Sequence, residues 1–256
     1  MLIDSHCHFH LIDGYPDNFP TLFAQAKAQG VGRFLNVAVT IEAYPILAEL
    51  AKHPEIYISA GMHPNEAPGE ALDKKRLLEQ AANPKVIAIG ETGLDYYRQA
   101  GEEDLTWQHT RFREHIAIAK ELKKPLIIHT RMAQADTLKI MREENAGEIG
   151  GIMHCFTEDW DMAKQALDLG FYISFSGIVS FKNATTVHEV AQKVPADRYL
   201  IETDSPYLAP VPMRGKTNEP GYVRYVAEAL AHYRGVPFET VEKESTENFK
   251  RLFPIS

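Results

Sequence analysis

The chain opens with Leu2-Ile-Asp-Ser-His-Cys-His8, a short apolar start running straight into two histidines. How this stretch is read decides the fold. Successive side chains of a β-strand alternate between its two faces. A strand from Leu2 to His6, carried on to His8, therefore turns both imidazoles to one side and Cys7 to the other. Two imidazoles on one face suit a metal ion, provided that other ligands meet them there.

Working outward from that stretch, the same event recurs: a short apolar run that ends in a polar residue and is followed by a longer amphipathic segment. Strands are predicted at Leu2 to His6, Arg33 to Val39, Tyr57 to Met62, Val86 to Gly90, Leu126 to His129, Gly151 to His154, Phe171 to Phe175 and Tyr199 to Thr203. The clearest helix starts near Asp104 as N-cap, places Leu105, Phe112, Ile116 and Ala119 on one stripe, and ends at Lys123-Lys124-Pro125. Phe238 to Phe253 reads as an extra C-terminal helix packed outside the repeated units. Eight strand–helix units most simply close into an α/β (β/α)8 TIM barrel, here a single domain over residues 1–256. An open doubly wound sheet would call for a glycine-rich phosphate loop after an early strand. Neither the dinucleotide fingerprint nor a Walker motif is present.

Composition agrees with that reading. A chain of 256 residues with 45% hydrophobic content has material for one sizeable core. Asp4, His6 and His8 interrupt any signal-peptide-like run, and no stretch approaches the roughly 20 apolar residues of a membrane span. Two cysteines, Cys7 and Cys155, are too few for a disulfide scaffold. The expectation is a soluble, cytoplasmic protein without a membrane partner, a monomer or weak oligomer. A net charge of −8 argues against a broad basic surface that grips nucleic acid along its length. Bound divalent ions would add local positive charge that this count ignores.

Functional side chains of a barrel gather at the C-terminal ends of its strands. His6 and His8 end the first predicted strand, His63 the third, Glu91 the fourth, His129 the fifth, His154 the sixth and Asp204 the eighth. Mixed imidazole and carboxylate ligands suit zinc, manganese or iron, and carboxylates also tolerate magnesium, whereas a closed structural zinc would use cysteines. His6, His8, Glu91, His129, His154 and Asp204 exceed what one tetrahedral ion needs. Two ions sharing a carboxylate would use them all, and Glu91, from a middle strand, is the candidate bridge. The fourth strand has no lysine to carbamylate, which separates the site from binuclear amidohydrolases bridged by a carboxylated lysine. Cys7 and Cys155 adjoin ligands but point outward and read as packing residues. His109, on the stripe of its helix, and His53, His115, His188 and His232, in or beside helices, read as structural.

The motifs Asp4-Ser-His-Cys-His8, Gly61-Met-His-Pro64, Gly90-Glu-Thr-Gly-Leu-Asp95, Ile128-His-Thr-Arg131, His154-Cys-Phe156 and Glu202-Thr-Asp-Ser-Pro-Tyr207 span nearly the whole chain. Together they resemble the TatD family of metal-dependent deoxyribonucleases. The run Leu169 to Gly177 and the stretch Leu208 to Lys216 are similar to its YcfH-like branch. The resemblance implies a TIM-barrel phosphodiesterase of the metallo-dependent hydrolase type that holds two divalent cations (Mg, Mn or Zn), with His6, His8, Glu91 and Asp204 around one and Glu91, His129 and His154 around the other. It implies action on DNA, trimmed from a 3′ end, while some members are linked to removing D-amino acids from mischarged tRNA. A hydrolase of the same architecture acting on a small ester, amide or phosphoester is the alternative. In the nuclease reading Asp204 orients the attacking water and accepts its proton, and Glu202 supports a ligand histidine. His63 contacts the phosphate or leaving group. Arg131, Arg214 and Lys216 bind phosphate oxygens, the last two just before a helix expected from near Pro220 with Thr217 or Asn218 as its cap. Tyr96 and Tyr97 follow the Glu91 turn and offer rings for stacking on a base, although aromatic residues in loops more often pack against protein.

Overall fold

The structure, a computed structural model, describes residues 1–98, 104–253 and 255. Strand and helix alternate along the chain as β1 (Leu2–Cys7), α1 (Phe19–Ala28), β2 (Val31–Asn36), α2 (Tyr44–Leu50), β3 (Ile56–Ala60), α3 (Lys74–Ala81), β4 (Val86–Asp95) and α4 (Thr106–Leu122). They continue as β5 (Leu126–Arg131), α5 (Gln134–Glu143), β6 (Gly151–Met153), α6 (Trp160–Asp168), β7 (Tyr172–Phe175), α7 (Thr185–Lys193), β8 (Tyr199–Ile201), α8 (Val223–Arg234) and α9 (Phe238–Leu252). The eight strands pair in parallel in chain order, which is the expected barrel with its outer ring of helices.

The barrel closes at a narrow seam. Beyond β8 the Asp204 N–H donates to the carbonyl of His6 and the His8 N–H donates to that of Ser205, both at 2.9 Å. Below them the buried Asp4 carboxylate stands in for missing ladder bonds, accepting the Thr203 N–H at 3.0 Å and the Thr203 hydroxyl at 2.6 Å. Burial pushes the Asp4 carboxyl up to about 8, against the pull of those Thr203 bonds and of the His6 N–H.

Two apolar layers result. The larger lies between the strands and the helices and includes Cys7, Phe34, Phe112 and Ile116. The smaller fills the barrel interior with one side chain from each strand, among them Ile3, Leu35, Tyr57, Ile127, Ile152 and Leu200, together with Phe249 and Phe253 of α9. The extra C-terminal helix expected outside the repeated units is present as α9, and it seals the floor of the barrel. Its stripe Val241, Ser245, Asn248, Phe249 recurs at helical spacing and buries one face.

Other boundaries shift by a few residues. α4 begins at Thr106 with Leu105 in the cap position, and Asp104, one residue earlier, accepts the Thr106 N–H at 2.9 Å. The helix expected near Pro220 is a single 3-10 turn there, with α8 proper from Val223. Asn218 caps nothing; its buried amide donates to the carbonyls of Thr203 and Tyr207 at 2.7 and 2.5 Å and staples the loop after β8.

Candidate metal centre

Simple alternation does not deliver the site. Ile3 belongs to the barrel interior, and Ser5, two residues on, reaches Ser174 across it, with hydroxyl oxygens 3.3 Å apart. His6 would then face outward. It does not, because between the pairs Asp4–Phe34 and Cys7–Asn36 β1 advances three residues while β2 advances two. This bulge turns His6 inward alongside His8 and leaves Cys7 in the outer core, as bulges beside functional sites do. β4 repeats the device: from Ile89–Leu126 to Thr92–Ile128 it gains one residue on β5. Glu91 comes inward, and Asp95, farther along the strand, reaches the same side as Glu91. Gly93, at φ +128°, permits the close pairing, since a Cβ there would sit 2.0 Å from the His129 carbonyl. The Glu91 N–H donates to Ala38 O at 3.0 Å, and Ser59 bridges the Ala38 N–H and the Gly90 carbonyl at 2.9 and 2.6 Å.

These backbones bring the other five candidate ligands, His6, His8, His129, His154 and Asp204, together around Glu91. Its Oε2 lies 3.3 Å from His6 Nε2. Its Oε1 lies 2.8 Å from His154 Nε2, 3.1 Å from His129 Nδ1 and 3.3 Å from His63 Nε2. On the Oε2 side, His6 Nε2 and His8 Nε2 are 3.1 Å apart, and Asp204 Oδ1 stands 3.7 and 3.5 Å from them. Asp204 is in the left-handed region at φ +55°, a turn that aims its carboxylate back into the mouth.

The outer ring nitrogens fix the tautomers. His8 Nδ1 donates to Val37 O at 2.9 Å, His129 Nε2 to Asp95 Oδ2 at 3.1 Å, and His154 Nδ1 to Glu202 Oε1 at 3.2 Å. Their inner nitrogens in the neutral rings are therefore lone pairs, and those of His129 and His154 converge at 3.3 Å on each other and on the same carboxylate oxygen. Such a convergence is repulsive unless a cation or proton occupies it. Ligand atoms around an ion about 2.0–2.2 Å away stand roughly 3–3.6 Å apart, close to the 2.8 to 3.7 Å found among these atoms. The residues fit divalent metal.

The shifts in acidity agree. Burial alone would lower His154, but Glu91 and then Glu202 outweigh it and hold the ring well above the usual histidine range. Burial likewise opposes the upward shifts of His129, driven by Asp95 and Glu91, and of His8, driven by Asp204. Glu91 is held well below the carboxylate range despite its burial, by His154, His63 and His129. Protons thus gather where a metal charge would act. His6 shifts the other way, lowered by burial and then by the charge of His154.

His63 differs from the ligands. Its Nδ1 accepts the Asn65 N–H at 3.1 Å, so the neutral ring carries its proton on Nε2, toward Glu91. In that tautomer His63 does not ligate, although His63, Glu91 and His129 stand close enough together to hold an ion. Asp95 was overlooked in the sequence even though it closes the Gly90 to Asp95 motif. Its Oδ2 receives both His129 and the Asn65 amide, the latter at 2.8 Å, and its peptide is gripped by Gln108, whose Oε1 takes the Asp95 N–H at 2.9 Å. Glu202, the expected support, holds His154 and also the Cys155 N–H at 2.8 Å.

Around the mouth, Arg131 lies over the exposed Tyr97 ring at 3.8 Å and Arg214 over Phe181 at 4.0 Å, while Lys216 is exposed. Tyr96 is not presented for stacking: its hydroxyl sits between His109 Nε2 at 2.6 Å and Asp136 Oδ2 at 2.7 Å. His53, His115, His188 and His232 make packing or hydrogen-bond contacts away from Glu91.

A parallel barrel with buried His, Glu and Asp clusters able to bind metal at its mouth defines the class of metal-dependent hydrolases. Residues 3–254 match the family described as TatD related DNase. YcfH of Escherichia coli K12, an uncharacterized metal-dependent hydrolase, is 48% identical over 259 residues, covering 99% of this chain and 96% of that protein. The 3′-5′ ssDNA/RNA exonuclease TatD of Escherichia fergusonii is 30% identical, covering 92% of each. Among solved structures, the TatD homologue YJJV of Escherichia coli K12 superposes with a TM-score of 0.90 at 24% identity, over 100% of this chain and 98% of that one. The chain belongs to the TatD family and is a TatD-family metal-dependent hydrolase.

Proposed function

We propose that the chain hydrolyses phosphodiester bonds of nucleic acid, taking unpaired DNA from its 3′ end, with two divalent cations (Mg, Mn or Zn) held at the mouth. The observation that carries the two-ion reading is the division of Glu91: one carboxylate oxygen faces His6, and the other faces His129 and His154. His6, His8, Glu91 and Asp204 would hold one cation, and Glu91, His129 and His154 the other. Bound there, such ions supply Lewis acidity, neutralising phosphate charge and acidifying water. The relative named as a 3′-5′ ssDNA/RNA exonuclease supports nucleic acid as the substrate class.

The chain's own residues do the remainder. Asp204 is kept ionised against its burial by His8 and by the neighbouring charges of His6 and His154, and its partial exposure to the mouth lets it orient a water and take its proton. His63, with its proton on Nε2, donates to a phosphoryl or leaving-group oxygen. Arg131, Arg214 and Lys216 on the rim bind flanking phosphates. Three ligand histidines need no reorganisation, because Val37 O, Asp95 and Glu202 already hold their rings.

Metal analysis of the purified protein, alongside cleavage of end-labelled unpaired DNA, RNA and a panel of small phosphodiesters, tests the reading. Two ions per chain and shortening of DNA from the 3′ end are expected. Asp204→Asn should retain metal while turnover falls by roughly 10²–10⁴. A variant as active as the wild type would remove Asp204 as base, and metal-loaded protein that cuts only small esters would overturn the nucleic-acid assignment.

A further inference from the structure

Six large hydrophobic side chains stand exposed among the described residues: Met1, Ile46, Tyr97, Met132, Tyr207 and Val211. Exposed apolar groups scattered singly need no explanation. Here four of the six, Tyr97, Met132, Tyr207 and Val211, follow β4, β5 and β8 and so ring the mouth that holds the metal ligands.

Their backbones are held firmly. The Tyr96 N–H donates to Arg131 O at 3.0 Å, which fixes Tyr97 beside β5, and the Arg131 guanidinium then lies flat on the Tyr97 ring. The next residue, Met132, takes φ +54° and leaves its side chain 70% exposed. Tyr207 donates its N–H to Asp204 O at 2.9 Å and gives its carbonyl to the buried Asn218 amide, yet its ring is 56% exposed. β4 and β8 lie half a turn of the barrel apart. Tyr207 stands three residues beyond Asp204 on the loop after β8, and partial burial, followed by the charges of Asp204 and Glu91, raises its phenol. Arg98, Arg131, Arg214 and Lys216 bring cations to the rim, among carboxylates that include Glu66, Asp136 and Glu219, on a chain whose net charge is −8. Flat aromatic surface next to cations, on both sides of a centre that would hold a phosphate, matches what an unpaired nucleic-acid strand offers.

We propose that Tyr97, backed by Arg131, and Tyr207 are base-stacking residues on opposite sides of the metal centre, and that they grip the unpaired nucleobases flanking the phosphate to be cut. The proposal rests on the nucleic-acid reading of the site. Bases of a duplex are already stacked on their neighbours, so this grip admits frayed or single-stranded ends and leaves paired interiors untouched. It also makes Tyr97 and Tyr207 positioning residues, whose loss acts through KM more than kcat.

The test compares an unpaired oligodeoxynucleotide with the same strand carrying tetrahydrofuran abasic residues at its two 3′-terminal positions. With wild-type protein and manganese, KM is expected to be at least tenfold lower for the intact strand. Tyr97→Ala and Tyr207→Ala should each shrink that ratio toward one, while Tyr97→Phe, which keeps the ring, should preserve it. A 2-aminopurine placed at the 3′ end reports stacking directly: its fluorescence should be quenched by saturating wild-type protein in EDTA and stay bright with Tyr97→Ala. Equal KM values for the intact and abasic strands, or no quenching by the wild type, overturn the stacking role and leave nucleic-acid cleavage standing. If neither strand is cut, the nucleic-acid reading itself fails and the stacking role fails with it.

Discussion

The floor and the mouth of this barrel are built on the same inward-facing columns, two residues apart. Ile127 gives way to His129, Ile152 to His154 and Leu200 to Glu202. At the floor the column is apolar and plugged by Phe249 and Phe253; at the mouth it carries charge that has no business in a core unless paired. Stability and chemistry are thus separated along each strand by about 7 Å. The lower layer needs no ligand to be satisfied, whereas the upper layer is arranged for one.

That separation is open to attack from both ends. Glu91→Gln should have the largest effect: one oxygen becomes an amide, metal content should fall below two ions per chain, and turnover should drop by about 10³ or more. Metal analysis with single-turnover assays would check it, and full metal content in the variant would remove Glu91 as bridge. At the floor, Phe249→Ala should lower stability by about 3–5 kcal/mol. It should depress Tm by roughly 10 °C. Metal content at low temperature should be unchanged, and parallel loss of metal would show that floor and mouth are not separable.

The wall between them should be sensitive to acid. His115, in α4, donates to Arg111 O at 2.7 Å and accepts the Met62 N–H at 3.1 Å next to His63; burial pushes its pKa down to about 4 from an ordinary 6.5. The unfolded chain binds the proton more readily, so this contribution is fully present above pH 6.5 and is lost as pH falls from 6.5 toward 4. The loss amounts to about 3 kcal/mol at most. Urea unfolding across that window should be flatter for His115→Gln than for the wild type. The smallest expected effect is that of Asp95→Asn, which weakens the hold on His129 and should reduce metal affinity by about 10–100-fold. Titration calorimetry should find the loss in one of two binding events.

Much of this was legible in the sequence. The eight strands were readable because each is a short apolar run between turn residues, and the ligands because each ends such a run. Three features were not. The bulges in β1 and β4 leave no mark in hydrophobic periodicity, so simple alternation gives the right face for His6 only by starting the count at His6 itself. Asp95 lay beyond the expected end of β4 at Gly90, since Glu91-Thr-Gly does not read as strand interior, although the strand runs to Asp95. Asn218 was read as a helix cap because short polar side chains favour caps; here its amide satisfies two loop carbonyls instead.

The seam has a consequence for how the protein is made. β1 and the end of β8 are joined at the mouth through His6, His8, Asp204 and Ser205, so the first ligands to leave the ribosome wait for nearly the last. A nascent chain that stops short of Asp204 holds both histidines but lacks the carboxylate that stands 3.7 and 3.5 Å from them. On the proposed two-cation reading, full ligation at this half of the centre therefore reports that the chain has been made through β8 and that the barrel has closed.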